Sequence, residues 1–149
     1  MSITSFNLGN LSVKFVHSPR GRILDRFDDW ISPAHFHFFY EVHFIIKGSM
    51  NIIIGNNLFS LNENEICIIP PDVLHYPVGD NVINRFTAFF SLEKNDEKNE
   101  PVSDEYHYYK NIFNHILMGN LNESIKGYIE NISAFEKSDK PLYKCQINA

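Results

Sequence analysis

His35, His37, Glu41 and His43 occupy odd positions in the stretch His35-Phe36-His37-Phe38-Phe39-Tyr40-Glu41-Val42-His43-Phe44-Ile45-Ile46-Lys47-Gly48, and large apolar residues fill the even ones from Phe36 to Ile46. A β-strand alternates faces with a period of two, so the four ligand-capable side chains would share one face. Three imidazoles and a carboxylate on one face suit a metal ion or a small polar ligand. They equally suit a polar network satisfied within the protein. A second segment some thirty residues on, Pro70-Pro71-Asp72-Val73-Leu74-His75, adds one more imidazole.

Distance limits what a straight strand can do. His35 and His37 lie about 6.6 Å apart along a strand and point the same way, close enough to reach one ion or ligand. Glu41 lies roughly 13 Å beyond His37 at the same rise, too far to share that site. Convergence therefore requires a bend at Phe38-Phe39-Tyr40 and the arrival of His75 from a neighbouring strand. Glu41 carries a separate argument. A buried carboxylate left unpaired costs several kcal/mol, so it must find a cation, a metal or hydrogen-bond donors.

The elements that must position these residues read as short strands. Residues 11–17 alternate and end at Ser18-Pro19-Arg20-Gly21-Arg22; residues 23–30 are ambiguous, with a short strand as one reading. The opening stretch closes at Gly48-Ser49. Further strands are expected over 50–54, 58–61, 65–69, 75–78 and 82–92, separated by Gly55-Asn56-Asn57, Asn62-Glu63-Asn64, the Pro70-Pro71 corner and Gly79-Asp80-Asn81. About eight strands at this spacing predict an antiparallel sandwich or barrel. From Glu93 to Pro101 the chain is charged and reads as a flexible loop. Helical spacing follows, in Tyr109, Ile112, Phe113 and Ile116, then in Leu121, Ile125, Tyr128, Ile129 and Ile132. A third helix is expected to open at Ser138-Asp139-Lys140-Pro141, with Ser138 or Asp139 as cap. It reaches Ala149 without a closing signal, so the natural chain is expected to continue.

Composition sets the class. A chain of 149 residues, 44% hydrophobic and 21% charged, has room for one domain with a real core. Thirteen Phe point to an aromatic, strand-based core. The net charge of −5 argues against this chain itself gripping nucleic acid. Cys67 and Cys145 read as reduced thiols in a cytoplasmic protein, with Cys67 buried in Ile66-Cys67-Ile68-Ile69. No apolar run approaches a membrane span and no signal peptide is visible. No Ser or Cys nucleophile stands in a recognisable setting, and no glycine-rich phosphate loop is present.

The spacing His35-x-His37-x3-Glu41-x6-Gly48, then Pro70-x-Asp72-x2-His75, resembles the two motifs of the cupin superfamily. That likeness implies a jelly-roll β-barrel in which the chain bends between the His pair and the Glu, and in which His35, His37, Glu41 and His75 can hold a divalent metal such as Zn, Ni, Fe or Mn. Three family positions differ: Asp29 and Asp72 stand where glycines are usual, and Gly79 where Asn is usual. The phrase with Ile69-Pro70-Pro71 and His75 is similar, more narrowly, to the N-terminal effector-binding domain of AraC-type transcription regulators. The resemblance implies a mostly β fold, a cupin barrel followed by C-terminal α-helices. Residues 1–92 would form the effector-binding barrel, 93–104 a loop, and 105–149 a helical dimerisation segment. It implies a small polar effector, sugar-like, a homodimer, and DNA bound through a C-terminal domain absent from this chain. The competing reading is a small metal-dependent cupin enzyme, an isomerase or dioxygenase.

Other residues carry balanced readings. Trp30 is a candidate lining residue for the ligand, with burial in the core as its alternative. His43 is expected to pack, or to bond outward near the barrel end, rather than join the site. His17, His107 and His115 have no partners in sequence and read as surface or core histidines. Ile125, Tyr128, Ile129 and Ile132 are core or interface residues, between which spacing does not choose.

Overall fold

A computed structural model describes residues 5–15, 24–25, 33–78, 83–95 and 104–137. Among them are nine strands and two helices. The strands are β1 (Ser5–Leu8), β2 (Leu11–Phe15), β3 (Leu24–Asp25), β4 (Tyr40–Ile54), β5 (Asn57–Asn62), β6 (Glu65–Ile69), β7 (His75–Pro77), β8 (Ile83–Lys94) and β9 (Leu117–Asn120). The helices are α1 (Glu105–Phe113) and α2 (Glu123–Lys137). All pairing is antiparallel, and the strand order β1-β2-β8-β4-β6-β9 has β3 joined to β8 and β5 and β7 joined to β4. This is the mostly β fold that the sequence led us to expect, with its helices near the C-terminus.

β4 organises the whole. Its first part pairs with β6 and β8, and its last six residues pair with β5 and β7, so one strand serves two sheets. The expected break at Gly48-Ser49 is instead a bend within one strand. The register with β8 slips between Ile45 and Lys47, and Gly48 follows at φ 85°, a conformation that favours glycine. The extra residue of that bulge inverts the alternation. Odd positions Glu41, His43 and Ile45 face inward before it, and even positions Met50, Ile52 and Ile54 continue the same inner face after it. Ile45, Met50, Ile52, Ile54, Leu61, Cys67 and Ile69 pack there as one buried cluster.

The opposite face of the β2, β8 and β4 sheet carries the second core. Tyr40, Val42, Phe86, Ala88 and Phe90 pack with Leu121 and Ile129 from the helical region, and Tyr106, Tyr109 and Phe113 of α1 lie against them. The rings of Tyr40 and Phe90 stack with centroids 4.9 Å apart, and Phe113 meets Phe90 edge-on at 5.6 Å. Thus α1 and α2 are held to the barrel by apolar burial.

Two expectations need correction. Ile116 does not continue a helix begun at Tyr109. α1 stops at Phe113, and β9 pairs with β6 in the register Ile68↔Leu117 to Glu65↔Asn120. The unpaired edge of β6 competes successfully with weak helical propensity around Gly119 and Asn120, and Ile116 packs against the inner cluster. Residues 105–137 are therefore helix, strand, helix rather than purely helical. Residues 5–8 form a strand on β2, and the adjoining turn anchors α1. Asn10 Nδ2 donates to Asp104 Oδ1 at 3.1 Å, and its Oδ1 accepts from the Tyr106 backbone N–H at 3.0 Å. Of the loop expected over 93–104, Glu93 and Lys94 belong to β8 and Asp104 caps α1. The third helix, Cys145, Trp30 and His17 lie outside the described residues.

Within α2, Ile129 is core while Ile125 and Tyr128 are exposed, Tyr128 to 70%. No helix among the described residues is long and apolar enough to cross a membrane.

Phe90 should dominate the seam between barrel and helices. Phe90→Ala is expected to cost about 3–5 kcal/mol in urea unfolding, whereas Phe38→Ala, at a ring 81% exposed, should stay within about 0.5 kcal/mol of the parent. Equal effects would contradict this packing.

Candidate functional site

The bend that distance arithmetic demanded is present. Residues 38 and 39 form a bend immediately before β4 begins at Tyr40. The two halves of the motif are then stitched together by backbone. His35 and His75 exchange both hydrogen bonds of a bridge, at 3.1 and 2.9 Å, and the Asp72 N–H donates to the His37 carbonyl at 2.8 Å. Asp72 adopts φ 62°, the left-handed conformation that explains why a glycine suits this position and why Asp, which tolerates it, replaces one here. His75 is also held on the other side, opposite Ile54 of β4.

His35, His37, Glu41 and His75 consequently converge, with one donor atom from each lying within 4.8 Å of all the others. Glu41 is the hub. Its Oε2 lies 2.7 Å from His37 Nε2, 2.9 Å from His75 Nε2 and 4.0 Å from His35 Nε2. The His35 side chain is 38% exposed and that of His75 only 2%, so the cluster opens to solvent at His35 and closes at His75.

Each of these three imidazoles is oriented from behind by a carbonyl two residues away. Nδ1 of His35 donates to Pro33 O at 2.8 Å, Nδ1 of His37 to Phe39 O at 2.9 Å, and Nδ1 of His75 to Val73 O at 2.8 Å. A proton on Nδ1 leaves Nε2 of a neutral ring as an acceptor. Two acceptor nitrogens would then face an acceptor carboxylate oxygen at hydrogen-bond distance, which is repulsive. A donor proton among these atoms, or a cation between them, relieves that repulsion. Local carbonyl ties of this kind fix ring orientation and tautomer in metal sites.

The electrostatics agree. Burial alone would raise the Glu41 carboxyl, but the charge of His43 and the hydrogen bonds from His37 and His75 outweigh it and hold the group well below the usual carboxylate range. Burial would lower His75, yet its hydrogen bond to Glu41 and the charge of that carboxylate leave it raised. Burial also pushes the Cys67 thiol up to about 12, and Glu41 adds to this, so Cys67 is an inert apolar group here.

His43 packs inside, one of the two roles expected for it, and is not among the four converging donors. It is buried beneath the cluster, with Nε2 3.2 Å from Glu41 Oε1, and burial pushes its pKa down to about 4 despite that carboxylate. The signal for this approach was available, since His43 shares the odd-numbered face with Glu41. Its other neighbour was not legible. Arg85, brought from β8 opposite Ile45, donates from Nη1 to His43 Nδ1 at 3.4 Å. Phe39 stacks on the His37 ring at 4.1 Å, and Phe89, opposite Glu41 in register, meets both rings edge-on. His107 and His115 are exposed on and after α1, away from the cluster.

Residues 21–80, which span the bend, β4 and the His75 segment, match the family model of the AraC-like ligand binding domain. This bears out the likeness drawn from the two motifs. No curated protein matches the sequence significantly. Among solved structures, the chain is similar to an apo ToxT variant from Vibrio cholerae, at 13% identity and TM-score 0.44, over 95% of this chain and 52% of that one. It thus spans about half of that relative. It is also similar to a cupin-2 domain containing protein from Shewanella frigidimarina, at 18% identity and TM-score 0.34, over 62% of this chain and 79% of that one. A variant of oxalate decarboxylase OxdC from Bacillus subtilis aligns at 14% identity and TM-score 0.36, over 65% and 29% respectively.

The titrations set a stability optimum. His43 at about 4, against 6.5 when unfolded, leaves the unfolded chain binding an extra proton as pH falls below 6.5, so stability declines toward acid. The lowered Glu41 adds to this: its contribution is present above about pH 4.5 and is lost as pH falls through its folded value. The raised His75 works the other way, contributing fully below 6.5 and losing that contribution as pH rises through its folded value. With a chelator present, urea unfolding should show a maximum near pH 6.5 and a loss on the order of 2 kcal/mol by pH 5. Monotonic gain from pH 6.5 to 8.5 would contradict the His75 assignment.

Proposed function

We propose that this chain is the effector-sensing and dimerisation part of an AraC-type transcription regulator, working in the cytoplasm. A small polar metabolite, sugar-like in its hydroxyls, enters at the His35 side. His35, His37, Glu41 and His75 bind it directly or through a divalent cation such as zinc, nickel, iron or manganese. A bound cation would supply Lewis acidity and a coordination site for the effector's oxygens. The protein's own part is to hold three Nε2 lone pairs and one carboxylate oxygen in fixed directions, while Phe39 and Phe89 border the His37 ring. Occupancy would favour one of two arrangements of the domain and its dimer mate, through differential affinity for the two. The helical region from Tyr106 onward would supply the dimer surface, where Ile125 and Tyr128 of α2 are exposed, and DNA would be bound by a C-terminal domain beyond this sequence.

One observation carries the reading of the site. Three imidazoles have Nδ1 committed to their own backbone and Nε2 gathered around one carboxylate oxygen, an arrangement completed by a donor proton or a cation at the centre. The same four donors favour a second reading, a small metal-dependent cupin enzyme of the isomerase or dioxygenase type. The family match over residues 21–80 favours the sensor.

Protein purified without chelators should carry close to one equivalent of a transition metal by elemental analysis, or bind added Zn(II) at that stoichiometry. His35→Ala with His37→Ala should abolish this while leaving the fold intact by circular dichroism. If neither metal nor any of a panel of sugars and sugar acids shifts the melting temperature, the ligand-site reading fails. Light scattering at tens of micromolar should return a dimer mass, and a monomer would sink the dimerisation role.

A further inference from the structure

The Glu41 carboxylate is divided between two environments. Oε2 points into the three-histidine cluster, whereas Oε1 faces His43, whose side chain is 2% exposed. His43 lacks the backbone tie that marks the other three imidazoles. Its Nδ1 instead receives the Arg85 Nη1 donor, and a guanidinium can only donate. A neutral His43 with Nδ1 as acceptor carries its proton on Nε2, the opposite tautomer from His35, His37 and His75. That Nε2 is a buried donor with no hydrogen-bond partner, standing 3.2 Å from Glu41 Oε1 but off the line of a hydrogen bond. An orphaned donor at this depth costs free energy and calls for a role.

We propose that His43 is a positioning residue for Glu41. Its Nε2–H takes Oε1 when Oε2 is engaged by a cation at the cluster, and Arg85 fixes the tautomer that makes this possible. The carboxylate is thereby kept to one ligating oxygen, and the site to three nitrogens and one oxygen. The inference rests on the cation-binding version of the function proposed above. It goes beyond it by giving His43 and Arg85, which come from the barrel interior beneath the cluster, control over how Glu41 binds. Orienting groups behind a ligand typically contribute about 10–100-fold to metal affinity.

Cobalt(II) titration followed by visible absorption tests this on the whole chain, because band intensity reports coordination number. His43→Phe, which keeps bulk but removes the donor, should weaken Co(II) binding by about 10–100-fold and change the band intensities. His43→Gln, whose amide can donate to Oε1, should recover most of the affinity and the parental spectrum. A folded His43→Phe protein with parental affinity and spectrum would overturn the proposal and leave the metal site standing. Equal losses in both variants would assign the effect to packing and would also overturn it. Parental protein that binds no Co(II) would remove the cation reading and this proposal together. Independently of metal and of how the variants fold, long-range 15N–1H spectra of the parental protein should show His43 protonated on Nε2 and His35, His37 and His75 on Nδ1. An Nδ1-protonated His43 would be incompatible with the role.

Discussion

A carboxylate has been placed where water hardly reaches it, and much of this structure can be understood as the response. Glu41 sits on the inner face of β4, beside a cluster of aliphatic side chains in which ionisation is disfavoured. Four imidazoles answer it, three toward Oε2 and one toward Oε1. They come from three different parts of the chain. His43 follows on the same strand, His35 and His37 precede the bend, and His75 arrives after the Pro70-Pro71 corner. The bend, the His35–His75 bridge and the left-handed Asp72 are the local conformations that bring those parts together. Removing Glu41 would leave several buried imidazoles with no reason to meet.

β4 has to satisfy two cores and a site at once, and it does so by changing phase. Through Ile45 its even positions build the seam with α1 and α2 while its odd positions build the polar interior. After the bulge its even positions fill the inner apolar cluster, and its outer face includes the exposed Asn51. A strand of strict alternation could not turn the corner between two sheets and keep one interior. The polar cluster and the apolar one are therefore neighbours: Ile54 lies opposite His75, and Ile69 and Cys67 lie opposite Glu41 and His43.

The sequence made the cluster legible because its logic is one-dimensional. Parity puts His35, His37 and Glu41 on one face, and the distance of about 13 Å between His37 and Glu41 places the bend at Phe38 to Tyr40. The Pro-Pro corner delivered His75. What escaped was whatever depended on a partner strand. β9 formed because β6 had an edge to offer, and nothing in Leu117-Met118-Gly119-Asn120 itself outweighs the helical spacing on either side of it. Arg85 lies in a run, Asn84-Arg85-Phe86-Thr87, that reads as ordinary alternation, and its position beside His43 follows from the β4–β8 register. His43 is an intermediate case: burial was one of its two expected roles, and its approach to Glu41 Oε1 follows from the parity the two residues share.

The two kinds of imidazole around Glu41 have different consequences. His35, His37 and His75 are fixed by carbonyls of their own segments, so their Nε2 atoms keep the same direction whatever happens elsewhere in the barrel. His43 is fixed by Arg85, which belongs to β8, the strand that also pairs with β2 and packs against α1 through Phe90. One oxygen of Glu41 thus faces the three-histidine cluster, and the other faces His43 and, through it, β8. A change in the carboxylate's orientation on binding would be transmitted to β8 through two side chains and no loop. Glu41 also pairs directly with Phe89 of β8, so this line of side chains runs beside the β4–β8 ladder itself. Such transmission requires only that the Glu41–His43–Arg85 line have two discrete arrangements, one for each occupancy of the cluster.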